Sequence, residues 1–175
     1  MRTFEKAERY DRHAGRLGDA LYRQVVADVT ASGLPPGARV LDVGTGPGRI
    51  PRMLAATHPD WQIDAVDLEP RMIEFARRQD SGGTVTFTVG DGADLPYPDA
   101  TFDLIVSSMS QHHWSDVPGV LSDLHRVLKP GGRLWIYDAR WSLRRAQREA
   151  GRTFKHVTKE PVRWKVPILA RLAAS

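Results

Sequence analysis

A glycine-rich turn follows a short apolar run in the segment VLDVGTGPG, residues 40–48. Its three glycines let the backbone turn sharply and approach a ligand closely, because a Cβ atom there would collide with it. The spacing is G-x-G-x-G, whereas the dinucleotide fingerprint is G-x-G-x-x-G, so Arg49 stands where the third glycine of that fingerprint would be. Asp42 adds a carboxylate beside the turn, which would repel a pyrophosphate. The turn therefore favours a positively charged ligand over NAD.

Two further carboxylates have the spacing of a nucleoside site. Asp67 ends the run WQIDAVD, 19 residues after Gly48, where it can accept hydrogen bonds from both ribose hydroxyls. Asp91 lies in GDGADLP and can accept a hydrogen bond from an exocyclic adenine amine. The backbone amides of Gly92 and Ala93 can then meet the ring nitrogens. Together these residues indicate an adenosine-like group.

Apolar strands and amphipathic helices alternate along the chain and must position these residues. The pattern predicts strands at residues 40–43, 63–66, 84–89, 102–107 and 134–137. It predicts helices at residues 4–30, 49–57, 70–78, 115–128 and 142–150, with two more strands at 153–159 and 164–173. Such alternation is typical of an α/β sheet that is mostly parallel, with right-handed crossovers. The glycine turn and both carboxylates then meet at the carboxyl edge of the sheet, where ligands of open α/β sheets bind.

Five segments in this order resemble a class I S-adenosylmethionine-dependent methyltransferase of the methyltransferase type 11 group. They are the glycine turn, WQIDAVD, GDGADLP, FDLIVSS with the following MSQHHW, and LHRVLKPGGRLWIYD. The resemblance covers about residues 40–138. It implies a Rossmann-like, seven-stranded, mostly parallel sheet in the order 3-2-1-4-5-7-6, with helices on both faces and strand 7 antiparallel. It also implies that S-adenosylmethionine is the cofactor.

The resemblance assigns roles to residues at the carboxyl edge. Gly44, Thr45 and Gly46 would line the methionine moiety, with Asp42 beside them. Ser107 or Ser108 would lie close to the methionine amino group. We also expect cofactor contacts from Asp67 at the ribose, from the adjacent Leu68, and from Asp91, Gly92 and Ala93 at the adenine.

The acceptor side offers fewer residues. His112 and His113 follow the fourth strand, beside the expected methyl group, and either is a candidate general base. The alternative is that these rings pack between strand and helix and shape the pocket. Asp138, at the end of the fifth strand, either binds substrate or caps the following turn.

Residues outside the core of the resemblance leave alternatives open. Tyr10 belongs to an N-terminal helix that would fold over the cofactor, and it either contacts the carboxylate end of the cofactor or packs in the core. Arg140 and Trp141 either contact substrate or lie at the surface. We expect one methyltransferase domain over residues 1–175: a helical cap at 1–39, the cofactor-binding core at 40–138, and a basic helix and hairpin at 139–175.

Composition excludes several chemistries. The chain has 175 residues and no cysteine, so disulfides, thiolate metal sites and cysteine nucleophiles are excluded. No metal-binding cluster appears in the sequence, and no apolar run is long enough for a membrane span. We therefore expect a cytoplasmic protein without a membrane partner. Residues 139–175 carry 10 Lys and Arg against 2 Asp and Glu, which is either a solvated face or a surface for nucleic acid.

These observations predict methyl transfer from S-adenosylmethionine to a small-molecule oxygen, nitrogen or carbon. An RNA methyltransferase that holds phosphates with the basic tail is the alternative enzyme. A domain that binds the cofactor without catalysing transfer is the alternative outside enzymes. A small-molecule pocket would need a roof from the N-terminal helix, and a homodimer could supply part of it.

Overall fold

The computed structural model describes residues 15–162 and 168–175. One sheet of seven strands forms its centre. The strands are β1 Arg39–Val43, β2 Gln62–Asp67, β3 Val85–Val89, β4 Phe102–Ser108, β5 Leu128–Ala139, β6 Val157–Pro161 and β7 Leu169–Ala174. The helices are α1 Gly15–Thr30, α2 Arg49–Thr57, α3 Pro70–Gln79, α4 Val117–Val127 and α5 Leu143–Thr153. A single 3₁₀ turn, Gln111–His113, follows β4.

The strand order β3-β2-β1-β4-β5-β7-β6 confirms the order that the resemblance implies. Strands β1 to β5 pair in parallel, whereas β7 runs antiparallel to both β5 and β6. Parallel neighbours bring the carboxyl ends of β1 to β5 to one side of the sheet. We call this side the carboxyl edge.

Apolar side chains cover both faces of the sheet, as expected for parallel strands enclosed by helices. Helices α1, α2 and α3 pack on one face, against residues such as Val40 and Leu104. Helices α4 and α5 pack on the other face, against Leu41 and Ile105. Adjacent residues of one strand thus enter opposite cores, because side chains alternate along a strand. This two-sided burial fixes the strand ends that carry the site.

The fifth strand is longer than the sequence pattern predicts. It begins at Leu128 rather than Leu134, because the stretch 129–132 stays within the strand instead of separating helix from strand. Phe102 pairs with Leu128, but Leu104 pairs with Arg133, so β5 holds extra residues opposite β4. Such a bulge keeps pairing continuous while it absorbs a segment with proline and glycine.

The tail differs from the prediction in its boundaries. Helix α5 runs to Thr153, three residues beyond the predicted end, so β6 begins at Val157 rather than at residue 153. Pro161, expected in a turn, is the last residue of β6. The last strand, predicted from residue 164, is observed from Leu169, and residues 163–167 lie outside the described part. The N-terminal helix is described only from Gly15, so Tyr10 also lies outside it.

Candidate active site

The glycine turn closes directly onto the loop after β4. Gly44 has φ 71°, in the left-handed region that favours glycine, and its N–H donates to the carbonyl of Val66 at 2.9 Å. A Cβ atom at Gly44 would lie 2.2 Å from Oγ of Ser110. That hydroxyl also donates to the carbonyl of Val43 at 3.2 Å. The turn and the loop are therefore packed so closely that only glycine fits at this position.

Asp67 ends β2 and faces the glycine turn. Its Oδ2 accepts from the N–H of Gly46 at 2.8 Å, and its Oδ1 accepts from the N–H of Glu69 at 2.9 Å. Burial raises the pKa of the Asp67 carboxyl, and the two backbone hydrogen bonds act against that shift. The carboxylate is thus held rigidly at the carboxyl edge, with lone pairs left for a ligand.

A cavity of about 200 Å³ opens beside Asp67. It brings together residues predicted from three separate segments, namely Gly44, Asp67, Leu68, Asp91, Gly92 and Ala93. His113 and Trp114 also line it. Leu68 is 68% exposed, so its side chain offers an apolar surface to a ring. The amide of Ala93 already donates to Oδ1 of Asp91 at 3.0 Å.

A second, smaller cavity lies on the other side of the glycine turn. It is lined by Asp42, Gly44, Thr45, Gly46 and Ser108, and also by Tyr22, Arg49 and Met109. Oδ2 of Asp42 accepts from Oγ1 of Thr45 at 2.7 Å. Oδ1 of Asp42 and Oγ of Ser108 are buried and have no hydrogen-bond partner among the described residues. Two unpartnered oxygens on one cavity indicate a ligand that donates hydrogen bonds.

Burial raises the pKa of Asp42 to about 7, and the neighbouring charge of Asp67 adds to the shift. A cationic ligand would offset the cost of this buried negative charge. Ser107 differs from Ser108: its side chain is fully buried, and its hydroxyl pairs with Oγ of Ser110 at 2.9 Å. Of the two serines, Ser108 is therefore the one that can meet a ligand.

The two adjacent histidines lie against each other, with ring centroids 4.1 Å apart, but they have different neighbours. His113 lines the cofactor-side cavity and acts against the raised pKa of the Asp67 carboxyl. Nδ1 of His112 lies 2.9 Å from Oδ2 of Asp138, at the end of β5. Asp138 is 0% exposed and also accepts from the backbone N–H groups of His112 at 3.2 Å and Ala139 at 2.7 Å. This carboxylate therefore holds His112 and also accepts a hydrogen bond from Ala139, the residue that follows Asp138 in the chain.

Two residues to which the sequence motifs assign no role also lie at the site. Ser110 contacts the glycine turn, and Nε1 of Trp114 donates to its hydroxyl at 3.3 Å. Arg49, which stands where the dinucleotide fingerprint has its third glycine, lines the smaller cavity and pairs with Asp19 of α1. The position of Arg49 in the first helical turn after the glycine turn is the sequence feature that could have indicated this placement. Nothing in the local sequence indicated the contacts of Ser110.

The described residues fit S-adenosylmethionine. Asp42 and Ser108 present acceptors to the small cavity, which suits a cationic, amine-bearing group. Asp67, Leu68 and Asp91 line the larger cavity, which suits a nucleoside. The described residues contain no cluster of three or more side chains that could hold a metal ion, and no described helix has the length and hydropathy needed to cross a membrane.

Comparisons with known proteins agree with this fit. A demethylmenaquinone methyltransferase from Tropheryma whipplei is 38% identical over 134 residues, covering 74% of this chain and 54% of that protein. A 27-O-demethylrifamycin SV methyltransferase from Amycolatopsis mediterranei is 35% identical over 135 residues, covering 74% and 48%. The chain thus spans about half the length of the curated relatives it matches.

A solved structure supports the fold over nearly the whole chain. A TehB-like SAM-dependent methyltransferase from Corynebacterium glutamicum superposes with a TM-score of 0.77 over 97% of each chain, at 21% identity. The family model described as a methyltransferase domain matches residues 41–136. With the strand order and the cavity residues, these matches show that the chain belongs to the methyltransferase domain family, with S-adenosylmethionine as its cofactor.

Proposed function

We propose that the protein methylates an aromatic small molecule that bears an acidic hydroxyl, such as a phenol or a hydroquinone. His112 is the general base in this proposal. The single observation that carries it is the contact between Nδ1 of His112 and the buried carboxylate of Asp138. The methyl group is received either by the oxygen or by a ring carbon that the ionised hydroxyl activates.

Asp138 determines which nitrogen of His112 can act as the base. A carboxylate accepts hydrogen bonds, so Nδ1 carries the proton and Nε2 keeps its lone pair. The side chain of His112 is 37% exposed, which leaves it accessible to an acceptor. The negative charge of Asp138 also stabilises the imidazolium that forms when Nε2 takes a proton. These are the properties of a positioned base.

The proposed reaction balances without any further reagent. The O–H bond of the acceptor breaks, its proton moves to Nε2 of His112, and the oxygen's electron pair attacks the methyl carbon. Where a ring carbon receives the methyl group, that electron pair is delocalised onto the carbon, which attacks in its place. The C–H proton of that carbon then leaves to solvent and the oxygen takes up a proton, which restores the aromatic ring. When bound, S-adenosylmethionine supplies that methyl group on a cationic sulfur, which keeps the electrons of the broken carbon–sulfur bond. His112 later returns its proton to solvent. The protein contributes mainly alignment of the two reactants and removal of one proton.

The names of the relatives support an acceptor of this class. One relative is named for a demethylmenaquinone and another for an oxygen of a demethylrifamycin. Both names describe small molecules. For this chain they support the proposal of a small-molecule acceptor. The contact of His112 with Asp138 supports an acidic hydroxyl on that acceptor.

The test is methyl transfer from radiolabelled S-adenosylmethionine to a panel of phenols, hydroquinones and matched anilines. We expect turnover with the hydroxyl compounds. His112→Asn should lower kcat by about 10²–10⁴-fold, because a positioned base contributes that much. His113→Asn is the matched control, since it makes the same chemical change one residue away. It should lower kcat by less than about tenfold and act mainly on cofactor affinity.

Three results would contradict the proposal. The first is equal turnover of the anilines and the phenols. The second is a His112→Asn variant with undiminished kcat, and the third is a kcat loss in His113→Asn that matches the loss in His112→Asn. Thermal unfolding of each variant separates loss of the base from loss of the fold.

A further inference from the structure

Five exposed residues, three of them arginines, lie where β5 ends, α5 begins and β7 begins. They are Arg140, Trp141, Arg144, Arg145 and Ile168, and we call them the edge patch. The N–H of Arg140 donates to the carbonyl of Ile168 at 2.9 Å, which joins the two strands at this point. Trp141 is 62% exposed and Ile168 is 47% exposed. Large apolar side chains with this exposure are few among the described residues, and two of them lie together here.

Two of the three arginines of the edge patch lack an acidic partner in the described part of the chain. Glu149 of α5 pairs with Arg148 and Arg152, further along the helix. Arg144 and Arg145 form no ion pair with any residue in the ranges 15–162 and 168–175. Both belong to the first turn of α5, which contains no acidic residue. Positive charge at a helix N-terminus opposes the helix dipole, so an anion beside these arginines would relieve a local cost.

The edge patch also lies next to the proposed base. Arg140 follows Asp138 by two residues, and Asp138 holds His112. The patch is therefore on the carboxyl edge, on the side away from the adenosine-lining residues of β2 and β3. A partner that binds the edge patch therefore lies closer to His112 than to the residues that line the adenosine side of the site.

We propose that the edge patch docks the protein on an anionic lipid bilayer, from which the acceptor is taken. Arginines pair with lipid phosphates, tryptophan prefers the interface between headgroups and acyl chains, and isoleucine enters the apolar layer. A nucleic acid would use the arginines along the whole of α5, including Arg148 and Arg152, and would leave Ile168 without a partner. This inference rests on the proposed function, because an aromatic acceptor partitions into a bilayer.

The test is co-sedimentation of the whole protein with vesicles of phosphatidylcholine, with and without phosphatidylglycerol. The wild type should bind the anionic vesicles more tightly than the neutral ones. Arg144→Gln with Arg145→Gln should weaken that binding about thirtyfold, since each basic residue near an anionic surface contributes roughly fivefold. Arg148→Gln with Arg152→Gln is the matched control, because it removes the same charge from the same helix outside the patch. Its effect should be less than about fivefold.

Trp141→Ser gives an independent readout of insertion. Intrinsic tryptophan fluorescence of the wild type should shift to shorter wavelength when anionic vesicles are added. The shift should be lost in Trp141→Ser, since Trp141 is the exposed tryptophan of the patch.

Each contrary outcome overturns the proposal. Equal binding to neutral and anionic vesicles would do so, and so would an equal loss in the control variant. Tighter binding of a single-stranded RNA than of anionic vesicles, lost in the Arg148→Gln with Arg152→Gln variant, would assign the basic face to nucleic acid instead. Failure of the proposed function is separately visible, because vesicle binding is measured without turnover. The Arg144→Gln with Arg145→Gln variant should still methylate a water-soluble phenol at the wild-type rate.

Discussion

The two halves of the carboxyl edge use their carboxylates in opposite ways. On the cofactor half, Asp67 and Asp91 accept from nearby backbone amides and line an open cavity. On the acceptor half, Asp138 is fully buried and holds a histidine that is itself partly exposed. The first half presents its acids directly to a ligand. The second presents a histidine, the base of the proposed reaction, with a carboxylate buried behind it.

This difference matches the roles that we propose for the two halves. A nucleoside is bound by acceptors that stay fixed, so a carboxylate anchored by its own strand end suffices. Proton removal needs a group that changes charge, and a buried carboxylate keeps that group oriented while it does so. We therefore expect substitutions in the two halves to separate kinetically. Changes on one half should act on cofactor affinity, and changes on the other should act on kcat.

After the loss expected in His112→Asn, the largest effect that sharpens this comparison is expected at Asp138. Asp138→Asn should lower kcat about 10- to 100-fold, because it removes the charge that orients and stabilises His112. S-adenosylmethionine affinity should change little. Calorimetry and steady-state kinetics on the same preparation measure both. An equal loss of cofactor affinity would place Asp138 in the cofactor half and would contradict the division of the carboxyl edge into two halves.

A smaller effect, of the opposite kind, is expected at Asp67. Asp67→Asn keeps the shape of the side chain but removes its charge and half of its acceptor capacity. The Kd for S-adenosylmethionine should rise about tenfold, which is the value of a lost charge-assisted hydrogen bond. The rate at saturating cofactor should stay near that of the wild type. Asp91→Asn is a useful control, because Asp91 is exposed and its change should cost less.

The smallest effect concerns pH and the buried Asp42. Burial raises its pKa to about 7, so a substantial share of the folded protein carries this proton near neutral pH when no cofactor is bound. A cation favours the ionised form, and binding must then release the proton. S-adenosylmethionine affinity should therefore rise by about tenfold between about pH 6 and pH 8. Calorimetry across this range measures it, and Asp42→Asn should flatten the profile. A wild-type profile as flat as that of the variant would show that Asp42 does not sense the ligand.

The same raised pKa has a consequence for stability. Folded Asp42 binds its proton more tightly than the unfolded chain does. The contribution of this carboxyl to stability is therefore greatest at low pH and is lost as the pH rises from about 4 to about 7. Unfolding midpoints of Asp42→Asn, compared with the wild type across this range, report that contribution.

Much of the fold and the cofactor half could be predicted from the sequence, because their signals are local. The glycine turn and the run that ends in Asp67 each occupy fewer than ten consecutive residues. The alternation of apolar strands with helices predicts that these segments lie together at one edge of the sheet. The seven-stranded order was confirmed, although it came from the resemblance and not from the strand pattern alone.

The acceptor half could not be predicted in the same way. His112 and Asp138 are 26 residues apart, and their contact depends on the pairing of β4 with β5. The position of Ser110 against Gly44 depends on the pairing of β1 with β4. The boundary of β5 was missed because a proline and two glycines indicate a turn, whereas the strand absorbs them as a bulge. Local pattern identifies the residue types here, but only tertiary structure identifies their partners.

The central claim is that cofactor binding and proton removal lie on separate halves of one edge. The measurement that tests it most directly pairs calorimetric Kd for S-adenosylmethionine with single-turnover methyl transfer to a phenol, in Asp67→Asn and His112→Asn. We predict that Asp67→Asn raises the Kd and keeps the single-turnover rate, whereas His112→Asn keeps the Kd and lowers the rate by about 10²–10⁴-fold. A His112→Asn variant that binds the cofactor as weakly as Asp67→Asn, or that still transfers the methyl group at the wild-type rate, would contradict the claim.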